Sequence, residues 1–134
     1  WGAIVVSGQS HGASSAAYIG KLRQVARVVS LAGPLDSNQA WLKAPSVSPL
    51  ERFYAFTHTG DGQHAGHLAS FEDLGLPGKP TVVDGMSPPY GGGHRLVSSA
   101  PTGDGHGAVQ AGGSSPKQNG AYLYAPVWRY LYGR

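Results

Sequence analysis

The run Ala3-Ile4-Val5-Val6-Ser7 is apolar and β-branched, ends against Gly8, and is followed without a spacer by small residues at helical spacing: Ala13, Ala16, Ala17 and Gly20. A continuous apolar run bounded by a turn residue reads as a buried strand, and the recurrence after it reads as a helix. A strand that turns at once into a helix must have that helix folded back on one of its faces, which commits the chain to an α/β layer and excludes an all-helical bundle.

The same alternation continues downstream. Val25 to Ala32 reads as a second strand, stopped by Gly33-Pro34, and Asp36 to Pro49 as a polar connection carrying Trp41 and Leu42. Arg52 to His58 is a third, aromatic strand. Leu68, Phe71 and Leu74 then recur three apart, with Gly75 at a helix C′ position and Pro77 just beyond. Thr81 to Asp84 is a short fourth strand and Arg95 to Ser98 a candidate extra one, joined by the turn-rich Ser87 to Gly93. Gly112 to Gly120 reads as a mobile linker. A final helix starts near Pro126, with Leu123, Val127, Tyr130 and Leu131 on one face. With 134 residues the chain supports a single domain, 1–134, and the expected fold is α/β with about four mostly parallel strands flanked by helices.

Composition narrows the function classes. Hydrophobic residues make up 40% and charged residues 13%, so the chain folds rather than remaining disordered. The net charge of +3 comes from scattered basic residues with no run or aromatic interleaving, which argues against a nucleic-acid partner. Zero cysteines exclude disulfides and a thiolate nucleophile and leave the redox compartment open. No apolar stretch reaches the length of a membrane span. Trp1 leads straight into a strand, as if more chain preceded it.

Gly8-Gln9-Ser10-His11-Gly12 is a G-x-S-x-G placed between that first strand and its helix, the setting in which a serine sits exposed on a sharp turn. A serine hydroxyl is a weak nucleophile at neutral pH, so Ser10 needs a base, and the base an orienting acid. Asp61 follows the aromatic strand, at the carboxyl end where open α/β sheets build their sites. Asp84 and Asp36, each after another strand, are the alternative acids. His106, in the glycine-rich loop Gly103 to Gly107, is the candidate base, and His94 the alternative. The bland readings are a helix N-cap for Ser10, a turn residue for Asp61 and an exposed loop histidine for His106. His58, His64 and His67 with Asp61 offer zinc-type donors but lack the H-E-x-x-H spacing; His64 and His67 are more simply placed on a solvent-facing helix. The glycine clusters lack the lysine or ribose-binding acid of nucleotide sites.

The order Ser10, Asp61, His106 on strand ends resembles the α/β-hydrolase superfamily. Segments His58 to Gly78, Pro88 to Val109 and Tyr124 to Gly133 further resemble a group of bacterial, often secreted, α/β-hydrolase-like proteins with no well-defined substrate. The resemblance covers nearly the whole chain but only the C-terminal half of that fold, its first four strands having no counterpart. It implies Ser10 as nucleophile, Asp61 as acid, His106 as base and the His11 amide as an oxyanion donor, the loop for a second donor being absent. It further implies ester or acyl hydrolysis through an acyl-enzyme without metal or organic cofactor, and a secreted or periplasmic location. The partners expected are a small ester or acyl substrate and the N-terminal half of the fold, on this or a second chain. Trp41 and Leu42 are expected to meet substrate from a short flap. The rival expectation is a non-catalytic binding or scaffold protein that keeps the elbow for packing.

Overall fold

The computed structural model describes residues 2–134. Its main sheet has five strands, β1 (Val5–Gln9), β2 (Arg27–Leu31), β3 (Phe53–His58), β4 (Thr81–Val82) and β5 (Arg95–Ser98), in the spatial order β1-β2-β3-β5-β4. Every pair is parallel. The helices are α1 (His11–Leu22), α2 (Ala40–Lys43), α3 (His64–Leu74), α4 (Gly105–Ala108) and α5 (Ala125–Leu131).

Two apolar layers sandwich the sheet. On one face Ala16 and Ala17 of α1 and Phe71 and Leu74 of α3 pack on Val28, Phe53 and Ala55. On the other, Val127 and Leu131 of α5, with Tyr124, Ala108 and Val109, pack on Val29, Phe56 and Leu96. With both faces covered, the middle of the central strands is continuously apolar, at Val28-Val29, Ala55-Phe56 and Leu96-Val97, which is why they lack the alternation of a half-exposed sheet. Among the described residues no helix is long and apolar enough to cross a membrane.

Several expectations are corrected. The sheet has five strands, not about four, because Arg95–Ser98 inserts between β3 and β4. The first strand begins at Val5, not Ala3, and runs through Gly8 to Gln9, paired with Leu31. Gly8 does not break it; a Cβ there would overlap the Gly12 backbone, so glycine is what lets α1 start so close. The second strand is shorter than 25–32, since the Val25 N–H donates to Ser48 Oγ (2.9 Å) and Ala32 turns out of the sheet at φ 51°. The linker-like 112–120 region holds one arm of a hairpin, β6 (Lys117–Gln118) against β7 (Ala121–Tyr122). Asn119 and Gly120 turn it at φ 53° and 79°, the left-handed pair that a two-residue hairpin turn requires. Leu123 precedes α5 and is 38% exposed, so the buried face of that helix is Val127 and Leu131.

β1 is an edge. Among the described residues it pairs only with β2, and Ile4 just before it and Val5 within it are 46% and 41% exposed.

Candidate active site

Ser10 stands between β1 and α1 at φ 60°, ψ −118°, a conformation costing a non-glycine residue roughly 1–3 kcal/mol. The surrounding backbone holds it there: its N–H donates to the Leu31 carbonyl (2.9 Å), and its own carbonyl accepts from Ala13 (3.0 Å). His11 opens α1, so its N–H is among the first-turn amides without a helical partner. The positive end of the helix dipole favours negative charge at the same place.

Asp61 follows β3. The turn there is fixed by His58, whose Nδ1 accepts from the Gly60 N–H (2.8 Å) and whose Nε2 donates to the Ala100 carbonyl (2.6 Å). His58 is thereby a neutral structural residue. The Asp61 Oδ1 accepts from the Gln63 N–H (2.9 Å), and Oδ2 lies 2.7 Å from His106 Nδ1. His106 Nε2 lies 2.9 Å from Ser10 Oγ. Ends of β1, β3 and β5 thus supply one chain of contacts, Asp61 to His106 to Ser10. Burial pushes the Asp61 carboxyl up, but the Gln63 amide and the His106 hydrogen bond, joined by the neighbouring His67 and His106 imidazoles when these carry a second proton, outweigh it and hold it below the usual carboxylate range. With the carboxylate charged, His106 Nδ1 carries the proton and Nε2 presents its lone pair to the serine.

The His106 loop is braced on several sides. Gln9 Nε2 donates to the His106 carbonyl (3.1 Å), Asp104 caps α4 by accepting from Gly107 N–H (3.1 Å), and Ser115 Oγ donates to the Ala108 carbonyl (2.7 Å). Trp128 of α5 donates its indole N–H to Val109 (2.7 Å). Gly105 passes against the Gly60–Asp61 backbone with no room for a Cβ.

The alternatives fall elsewhere. Asp84 is spent on Ser98 Oγ (2.7 Å) and the Ser99 N–H. Asp36 does not touch His106; with Ser10, His11, Ser14 and Gln63 it lines a recess of about 160 Å³ at the nucleophile. His94 lies at the amino end of β5, stacked on Tyr54 with Nδ1 2.9 Å from the Phe53 carbonyl. Leu42 is corrected: it is fully buried against the α1–α3 layer, so a substrate cannot reach it. Trp41, by contrast, lines a second recess of about 230 Å³ with Ser14, Tyr18 and Asp36.

His67 is the largest surprise. It is not on a solvent-facing surface but fully buried, with Nδ1 3.0 Å from Thr57 Oγ1 and 3.6 Å from Asp61 Oδ2, and Nε2 without a hydrogen-bond partner among the described residues. Burial lowers its pKa against the pull of Asp61, so the ring is neutral beneath the acid. The signal was present: His67, Phe71 and Leu74 stand at i, i+4 and i+7, the buried stripe of α3. Gln63 was also missed, although an amide two residues after an aspartate is the ordinary Asx-turn partner. His58, His64 and His67 do not assemble as a metal-ligand set. Among the described residues the donors close enough to share an ion are Asp61, His67 and His106, within 4.8 Å, and two of these are engaged in the relay.

No protein-family model, no curated protein and no solved structure matches the chain at a significant level.

Proposed function

We propose that the protein is a serine hydrolase acting on carboxylic esters or related acyl compounds, built on the C-terminal half of an α/β-hydrolase fold. The observation that carries this reading is the continuous relay from Asp61 Oδ2 to His106 Nδ1 (2.7 Å) and from His106 Nε2 to Ser10 Oγ (2.9 Å). The strained backbone at Ser10 supports it, since such conformations gather where chemistry needs a side chain presented.

In the proposed reaction Ser10 Oγ attacks the acyl carbon while His106 Nε2 takes its proton, and the His11 N–H holds the oxyanion of the tetrahedral intermediate. The imidazolium, stabilised by Asp61, returns that proton to the leaving oxygen as the acyl–oxygen bond breaks. Water, deprotonated by His106, then attacks the acyl-serine, releasing the acid and regenerating Ser10. His67 stays neutral under Asp61 and so does not compete with His106 for the carboxylate's charge.

A fluorophosphonate probe tests the proposal. The expected result is one covalent adduct, mapped by peptide mass to Ser10 and lost in Ser10→Ala and His106→Ala. A folded protein that takes up no probe, with the variants equally stable, would instead support a non-catalytic scaffold.

A further inference from the structure

Resting on the serine-hydrolase reading, we infer that the substrate is an ester whose alcohol carries an organic cation, a quaternary or tertiary ammonium alcohol. The recess of about 160 Å³ at Ser10 and the recess of about 230 Å³ at Trp41 share Ser14 and Asp36 and so adjoin, giving a groove in two parts from the nucleophile to an aromatic corner. Tyr18 and Trp41 make that corner, their centroids 5.2 Å apart and their planes at 84°. Two perpendicular rings offer no flat platform for a sugar face. They close around a compact, roughly spherical group, and ring faces attract a cation within about 6 Å.

Asp36 adds charge to the corner. Asp36 lines both recesses, and its carboxylate makes no ion pair among the described residues. The lysines of α1 and α2 are directed elsewhere: Lys21 to the Ala44 carbonyl, and Lys43 toward Asp73 at 3.8 Å. An uncompensated carboxylate beside two aromatic rings selects a positive group that also carries apolar surface, which an alkylammonium does and a metal ion or a neutral polyol does not. The short recess at Ser10 then holds the reacting acyl group and the two- or three-atom link to the cation, and hydrolysis releases an amino alcohol. Among the described residues His11 is the one basic residue lining the groove.

The test compares acetylcholine with 3,3-dimethylbutyl acetate, its uncharged carbon isostere, at pH 8 and low ionic strength, counting only hydrolysis lost in Ser10→Ala. In parallel, choline and 3,3-dimethylbutanol are titrated calorimetrically against the Ser10→Ala protein. The expected result is kcat/KM at least tenfold higher for acetylcholine and choline binding at least tenfold tighter than the neutral alcohol, both differences shrinking with added salt. Asp36→Asn and Trp41→Ala should bring both ratios close to one, while Glu51→Gln, which removes an exposed acid outside the groove, should leave them unchanged. Ser10-dependent turnover with equal rates and equal binding overturns the inference and leaves the hydrolase reading standing. Cation-selective binding with no Ser10-dependent turnover of either ester overturns the hydrolase reading and keeps the recognition.

Discussion

Gly105→Ala should disconnect the acid from the base without touching either side chain. A Cβ at Gly105 would lie 2.8 Å from the Gly60 carbonyl oxygen and closer still to Gly60 C and Asp61 N. Non-bonded carbon contacts settle at about 3.5–4.0 Å, so the two loops must part by roughly 1 Å. The Asp61–His106 bond, 2.7 Å in the native chain, would then open to about 3.7 Å, beyond hydrogen-bond reach. A 1 Å misplacement of this kind can cost about 100-fold in rate. Overpacking costs about 1–3 kcal/mol, which for a chain of 134 residues is a fall in Tm of roughly 3–15 °C. Gly103→Ala is the matched control: it sits in the same loop, with nothing within 4 Å of the added carbon. Fluorophosphonate labelling rates and calorimetric Tm values for wild type and both variants decide the matter. A Gly105→Ala protein that labels as fast as Gly103→Ala would refute the claim that backbone proximity sets the relay.

Asp61→Asn keeps an acceptor for the Gln63 amide but turns an NH₂ toward His106, favouring the wrong tautomer; labelling should fall by roughly 10³- to 10⁴-fold with little change in the far-ultraviolet dichroism of the fold. Acid should destabilise the protein in two windows. His67 and Asp61 both have folded pKa values held below their ordinary ones, so each contributes stability fully present above its unfolded value, about 6.5 and 3.9, and lost as pH falls through the lower folded one. Thermal melts from pH 7 to pH 4 should show the first loss, and His67→Gln should flatten it; an unchanged slope would show that His67 does not titrate with folding. Val5→Lys places a charge on the exposed β1 edge and should reduce self-association measured by sedimentation velocity, whereas equal association would place the sticky surface elsewhere.

The relay was legible in the sequence because each member sits where local chemistry is distinctive: Ser10 on a strand-to-helix turn, Asp61 directly after an apolar strand, His106 in a loop nearly without side chains. What was not legible depended on tertiary packing. Nothing local separates Trp41 from Leu42, adjacent residues on α2, yet one lines the groove and the other is buried in the α1–α3 layer. The lateral position of β5 escaped for a similar reason, since a four-residue apolar run carries no record of which strands will flank it. The hairpin at Asn119-Gly120 is different: its turn signal was there, and the surrounding glycine and serine masked it.

The relay joins residues 45 and 96 positions apart, and its base is steadied from downstream, by Ser115 and by the Trp128 indole on Val109. During vectorial synthesis the elbow serine emerges long before that support exists. Domains fold as units while the chain is being made, so a nascent chain lacking α5 carries Ser10 beside an untethered imidazole. On the hydrolase reading proposed above, the relay is therefore complete only when α5 has docked, an ordering that protects the serine of the unfinished chain from stray acylation.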